Sequence, residues 1–300
     1  MNEITAVIVV KDNPHHLKDC LDSIQDFVKT IIIADIGMSD EAKIIISKLK
    51  DVKIVSITEP SPYVEVIREE LKKYVATDYL LFLDPDEIFP RALKQLLKEK
   101  IGFFDFAKIP RKNIIFGKWI THSRWWPDYQ VRLFKKDKVT WPLKLHTQPG
   151  TSGKALVISP DEKLSLVHYN YEGLDDYFYK NIRYAKAEAA EIAKNNQSYA
   201  LHDALKKSIG EFVSRFFRDN GYRDGMHGFA LSMLQMFQAL LVYLYYWENK
   251  KYFSLDEKTL INHSELFFSH GLKETWYWII KKQLVGNLAK LKIKIVKKLF

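Results

Sequence analysis

Four short apolar runs, residues 4–10, 30–34, 52–57 and 79–83, alternate with helix-period patterns over the first hundred residues, and this alternation constrains the chain more than any other feature. β-Branched residues dominate the first three runs and Leu and Phe the fourth, as suits strands buried on both faces. Asn13-Pro14 is expected to open a helix with Leu17, Leu21 and Ile24 on one face, with Asn13 as cap and Pro14 at the first helical position. Ser61-Pro62 repeats that device ahead of Tyr63, Ile67, Leu71 and Tyr74. A βαβαβαβ series joined by right-handed crossovers makes a mostly parallel sheet flanked by helices, so the fold class is α/β.

The fourth run ends in Asp84-Pro85-Asp86-Glu87, three carboxylates within four positions. Ligands of open α/β sheets bind in the crevice outside the carboxyl ends of the strands, which places a site here. Two aspartates one residue apart repel, and a hard divalent cation that takes oxygen ligands offsets the repulsion. Asp84 and Asp86 are therefore candidate cation ligands. The same acids also suit a solvated turn in which Asp86 or Glu87 caps or complements a helix over residues 90–98.

After Lys100 the texture becomes aromatic and turn-rich, with Phe103-Phe104-Asp105-Phe106, Trp119, Trp125-Trp126-Pro127 and Trp141-Pro142. These segments are expected to extend the sheet and wall one side of the crevice. From about Leu174 the pattern is helical, notably over residues 177–194 and 202–219. Three parts follow: 1–105 as a ligand-binding half, 106–173 as a second half of the same domain, and 174–300 as a helical region. No Gly/Ser-rich or Pro-rich linker separates them.

The net charge of +9 resides in the tail: residues 275–300 hold seven lysines and no acid, and the remainder carries 39 basic against 37 acidic residues. A basic amphipathic end points to a membrane surface or partner helix rather than a nucleic acid face. Residues 228–247 contain no charge but include Ser232, Gln235 and Gln238, which favours a buried or interface-lying helix over a membrane span. Leu284, Leu288, Leu291, Ile295 and Leu299 fall on one stripe of an expected last helix, suited to an anionic bilayer or to docking on the chain itself. The single cysteine, Cys20, excludes an internal disulfide and a thiolate zinc cluster and fits a reducing compartment. Residues 4–10 are too short an apolar run for a signal peptide, so a cytoplasmic location is expected. No G-x-G-x-x-G, Walker A lysine or G-x-S-x-G elbow is present.

Val7-Ile8-Val9-Val10-Lys11-Asp12-Asn13, Cys20-Leu21-Asp22-Ser23-Ile24, Ile33-Ala34-Asp35-Ile36-Gly37-Met38-Ser39-Asp40 and Asp84-Pro85-Asp86-Glu87 resemble successive motifs of glycosyltransferase family 2. Arg111-Lys112-Asn113, Trp125-Trp126-Pro127-Asp128, Arg132-Leu133-Phe134, His168-Tyr169 and Gly221-Tyr222-Arg223-Asp224-Gly225 are similar to the branch that builds lipopolysaccharide cores and related cell-envelope glycans. The ordered set runs from residue 4 to about 247.

The resemblance implies a GT-A fold and an inverting transfer from a nucleotide-sugar donor, a UDP-sugar, to a saccharide or lipid-linked saccharide. It implies Val10, Asp12, Asp35, Arg68, Asp84 and Arg132 as donor contacts, and Asp84 with Asp86 as the DxD element holding Mg²⁺ or Mn²⁺ against the diphosphate. A cation there stabilises the charge on the departing diphosphate. An inverting enzyme also needs a base across the sugar ring, for which Asp128 is the first candidate, with Trp125 and Trp126 as flat surfaces for an acceptor sugar. His146 is the second catalytic candidate, and it and His168 are expected to line the crevice or donate to the leaving phosphate. Relatives carry a carboxylate after the histidine matched by His146; here Thr147 stands there. Ile36 and Met38 replace small polar residues of the second-strand motif. A non-catalytic nucleotide- or glycan-binding module is the second reading. A peripheral position on the cytoplasmic face of an inner membrane accompanies the first.

Overall fold

The computed structural model describes residues 3–57, 64–141, 148–195 and 198–296. In chain order the first elements are β1 (Ile4–Asp12), α1 (Leu17–Ile24), β2 (Thr30–Met38), α2 (Asp40–Ser47), β3 (Val52–Ser56), α3 (Val64–Leu71), β4 (Tyr79–Leu83), β5 (Glu87–Ile88), α4 (Arg91–Lys100) and β6 (Phe106–Ile115). Then come β7 (Lys118–Trp119), β8 (Asp128–Lys135), β9 (Val139–Thr140), β10 (Gly150–Thr151), β11 (Ala155–Val157) and β12 (Leu166–Tyr171). Helices α5 (Leu174–Lys194), α6 (Leu201–Val213), α7 (Met226–Asn249), α8 (Glu257–Lys281) and α9 (Asn287–Val296) follow. The chain divides into two compact units, residues 1–114 with 126–170, and residues 115–125 with 171–300.

In the first unit the strands run in the order β3-β2-β1-β4-β8-β6-β12-β5. β1 pairs in parallel with β2 and β4, and β2 with β3. β8 lies antiparallel to both β4 and β6, so the parallel half continues directly into an antiparallel half. Both faces of the parallel half are covered, because successive residues of a strand point to opposite sides. Ile4, Ala6, Ile8, Tyr79, Leu81 and Leu83 enter one core with α1 and α4; Val7, Val9, Leu80 and Phe82 enter the other with Ile67 and Leu71 of α3. Each such buried aliphatic or aromatic side chain contributes about 1.5–3 kcal/mol relative to exposure.

Two local expectations fail in this unit. Helix α1 starts at Leu17, not at Pro14, and His16 at its N-cap makes no side-chain cap bond. Pro14 instead opens a turn closed by Leu17 N–H to Pro14 O at 3.1 Å, while the His16 ring stacks on Tyr169 with centroids 3.8 Å apart. Glu87 caps no helix: it is fully buried, and its Oε2 accepts the Asp84 N–H at 3.2 Å. Ser61-Pro62 lies outside the described residues.

The second unit is built from α5 to α9. Its Gly221–Gly225 motif serves a structural purpose: the buried Asp224 carboxylate accepts from Thr121 N–H at 3.3 Å, Thr121 Oγ1 at 2.9 Å and His122 N–H at 2.9 Å. Gly228 packs so closely on Gly221 that a Cβ would sit 1.8 Å from the Gly221 carbonyl oxygen, which bars any side chain there. The expected single final helix is two helices: Leu284 lies in the break between α8 and α9, and Leu299 is outside the described residues.

Candidate active site

The carboxyl ends of β1, β2 and β4 present Asp12, Asp35 and Asp84 along one edge, with Val10 opposite Asp35 in the β1–β2 register. Val10 itself is fully buried in the core with Leu17 and Leu21. Asp35 Oδ1 accepts the Gly37 and Met38 N–H groups at 2.8 and 2.7 Å, closing a turn that needs Gly37 at φ +113°.

The carboxylate turn after β4 is held at its far end by β12. Glu87 and Ile88 pair antiparallel with His168 and Val167, and Tyr169 N–H donates to Asp86 O at 3.0 Å. This clip brings β4, β5, β6, β8 and β12 to one polar network. Asp84 sits between two guanidinium groups: Arg68 Nη2 donates to Oδ1 and Arg132 Nη2 to Oδ2, each at 2.5 Å. Arg132 also donates to the buried Glu87 Oε1 at 2.7 Å, and Arg111 Nη1 reaches the same oxygen at 3.3 Å. Arg111 turns its other edge to Asp128 Oδ2, with Nε at 2.8 Å and Nη2 at 2.5 Å. Asn113 and Gln130 complete the shell of Asp128 at 3.1 and 2.8 Å. Because Asn113 Nδ2 donates to Asp128, its Oδ1 accepts from His168 Nδ1–H at 2.6 Å, and His168 Nε2 turns to Asp86 Oδ1 at 3.6 Å.

The electrostatics follow from this order. Burial alone would raise the Asp84 carboxyl, but Arg132, then Arg68, Arg111 and His168, outweigh it and hold the group well below the usual carboxylate range. Burial opposes the charge on Arg132, and Asp84 and Glu87 overcome that opposition, so its guanidinium is raised above its ordinary value. Asp128 is likewise lowered against its burial, chiefly by Arg111, with Asn113 and Gln130 adding hydrogen bonds.

Of the residues picked out from sequence, Asp84, Asp86, Arg68, Arg132 and Asp128 come together in one network of the first unit. His146 and Thr147 lie outside the described residues. Trp126 belongs to the first unit and Trp125 to the second, where Trp125 packs with Ile115, Ile120 and Leu231 under the Arg215 guanidinium at 5.8 Å. Arg111 and Asn113 received no individual role from the sequence, and Glu87 only that of a helix cap. A signal was present: Arg111 and Asn113 on β6, and Asp128, Gln130 and Arg132 on β8, recur at every second position, which puts each set on one face of its strand.

The donor set bears on a metal ion. Both Asp84 oxygens already accept guanidinium N–H groups, and among the described residues no cluster of three His, Cys, Asp or Glu side chains is placed to hold an ion. The two aspartates therefore do not present a chelate. Asp86 supplies one carboxylate, and one is enough for Mg²⁺ or Mn²⁺ when substrate phosphates and water complete the shell.

A Rossmann-like parallel half that runs into an antiparallel half, with a carboxylate turn at the junction, is the GT-A architecture of sugar-transferring enzymes. Residues 5–154 match the model of Glycosyl transferase family 2, and the chain belongs to that family and is a glycosyltransferase. The lipopolysaccharide core biosynthesis glycosyltransferase LpsC of Rhizobium meliloti is 20% identical over 243 residues, 79% of this chain and 89% of that protein. Among solved structures, S. aureus TarS 1–349 in complex with UDP-GlcNAc is 14% identical over 82% of this chain and 89% of its own, with a TM-score of 0.44. The mannosyltransferase PcManGT of Pyrobaculum calidifontis, with GDP-Man and Mn²⁺, is 12% identical over 100% of this chain and 87% of its own, with a TM-score of 0.43.

Proposed function

We propose that this glycosyltransferase moves a sugar, with inversion at the anomeric carbon, from a UDP-sugar to a saccharide or lipid-linked saccharide of the cell envelope. The observation that carries the reading is the Asp84-Pro85-Asp86-Glu87 turn at the carboxyl end of β4, tied to β12 and backed by Arg68, Arg111 and Arg132. The kinship to LpsC supports an envelope acceptor.

The turn divides its labour. Asp86 is the residue to hold Mg²⁺ or Mn²⁺; when bound, such an ion supplies positive charge to the diphosphate as it departs. Asp84 serves the arginines, fixing Arg68 and Arg132 so that their remaining N–H groups hold a set direction. Asp12 and Asp35, at the ends of the neighbouring strands, recognise the nucleoside by accepting from its hydroxyl and imide N–H groups. Asp128, with both oxygens engaged by N–H donors and its carboxyl lowered, is a weak proton acceptor, so its role is to hold Arg111. His146 is the residue proposed to face the acceptor.

Thermal unfolding in the presence of UDP-, GDP-, CDP- and dTDP-sugars, with and without Mn²⁺, tests the reading. Selective binding raises the melting temperature by mass action without knowledge of the acceptor. A shift with UDP-sugars that grows with Mn²⁺ is expected. Failure of every nucleotide sugar to shift the transition overturns it.

A further inference from the structure

Helix α7 carries an apolar stripe on the face opposite the one it buries. Its polar side chains turn into the second unit: Gln235 Nε2 donates to Tyr177 Oη at 3.0 Å, Gln238 Nε2 to the Asn181 carbonyl at 3.0 Å, and Ser232 Oγ to the Gly228 carbonyl at 2.7 Å. Leu231, Val242, Tyr243 and Tyr246 are buried on the same side, whereas five large apolar side chains turn out: Met226, Phe229, Met233, Phe237 and Leu244 are 73, 41, 38, 43 and 47% exposed. Their spacing of three, four, four and seven residues places them on one stripe, about 27 Å long at 1.5 Å per residue. The helix is long and apolar enough to cross a membrane, yet only 33% of its most apolar window is buried, which is not the state of a core helix.

We propose that this stripe docks the second unit onto an anionic lipid surface, with α7 lying in the interface plane. Charge complementarity selects the occupant. Residues 275–300 carry seven lysines and no acid, and Lys281 at the end of α8 lies 5.2 and 4.7 Å from the ring centroids of Tyr277 and Trp278. Interfacial aromatic rings beside lysines suit a headgroup layer, while a second copy of the chain brings only the same positive charge. A transmembrane placement is disfavoured by α5. Its Tyr177 and Asn181 are bonded to α7, and it also carries Asp175, Asp176, Lys180 and Arg183, whose charges hydrocarbon does not tolerate.

The test is co-sedimentation of the full chain with phosphatidylcholine vesicles, with and without phosphatidylglycerol, at low and high salt. Binding that requires phosphatidylglycerol and weakens with salt is expected. The triple variant Met226→Ser, Phe237→Ser, Leu244→Ser should lower partitioning by about tenfold or more, as the loss of three exposed apolar contacts implies. Quenching of tryptophan fluorescence in the wild-type chain by brominated acyl chains supplies a second readout that needs no substitution. No sedimentation and no quenching overturns the proposal, as does binding unchanged in the triple variant. A dimer in light scattering that this variant dissolves, without vesicle binding, reassigns the stripe to self-association and equally overturns it. None of these readouts depends on the sugar donor.

Discussion

Arg132 Nη2 donates to Asp84 Oδ2 at 2.5 Å across the β8–β4 boundary, and the same nitrogen meets the fully buried Glu87 at 2.7 Å. One guanidinium thus neutralises the carboxylates at both ends of the turn. The acids crowd because arginines from two further elements, α3 and β6, share the load.

Arg132→Met should destabilise the chain by about 3–5 kcal/mol, because it leaves Glu87 buried without its principal cation. Arg132→Lys should recover only part of the loss, since an ammonium cannot reproduce the planar fork. Urea unfolding checks both, and a loss under about 1 kcal/mol for the methionine variant would remove the network from its structural role.

Asp84 and Asp86 should respond differently to substitution. Asp86→Asn is expected to raise the Mn²⁺ concentration needed for half-maximal transfer, or for the donor-induced thermal shift, by about tenfold or more, the scale of losing a charged ligand. Asp84→Asn is expected to weaken donor affinity and thermal stability while the Mn²⁺ requirement stays near that of the wild type. Equal metal requirements in the two variants would show that the labour is not divided.

Asp128→Asn should keep transfer within about a hundredfold of wild type, with the pH profile unmoved, because loss of a general base costs about 10²–10⁴-fold. The larger effect should fall on melting temperature through the loosened Arg111. A collapse of transfer with an unchanged melting temperature would restore Asp128 as the proton acceptor.

Acid should unfold the chain through this network. Asp84 and Asp128 titrate lower in the folded chain than their ordinary value of 3.8, so their contribution is complete above that pH. It is lost as pH falls below it, toward the depressed folded values, where folding must give way to protonation. Melting curves from neutral pH downward should steepen in that acid range, and Asp84→Asn should flatten the decline. An identical acid slope in the variant would place the titrating groups elsewhere.

The parallel half was legible because strand burial writes itself locally: Ile4, Ala6, Ile8 and Val10 face one core and Val7 and Val9 the other. The carboxylate turn was legible for the same reason, being contiguous. What could not be read were pairings between distant segments. Arg68 could as readily have paired with an acid on its own helix, and only the packing of α3 beside β4 directs it to Asp84. Helix α1 lacks its expected first turn, and the residue at its start, His16, instead stacks on Tyr169, a contact between distant segments that no local rule anticipates. For residues 228–247 the sequence left a buried and an interface-lying helix open, since a stretch without charge reads the same whether its glutamines point in or out; the bonds of Gln235 and Gln238 to α5 decide which face of α7 turns outward.

The clip between β5 and β12 also bears on how the chain is made. A nascent chain that has left the ribosome only as far as β8 already carries Arg68, Arg111 and Arg132 together with Asp84, Asp86, Glu87 and Asp128, but lacks the strand that fastens the turn. Ligand affinity should therefore emerge abruptly, once His168 and Tyr169 have been synthesised, rather than growing as the polypeptide lengthens.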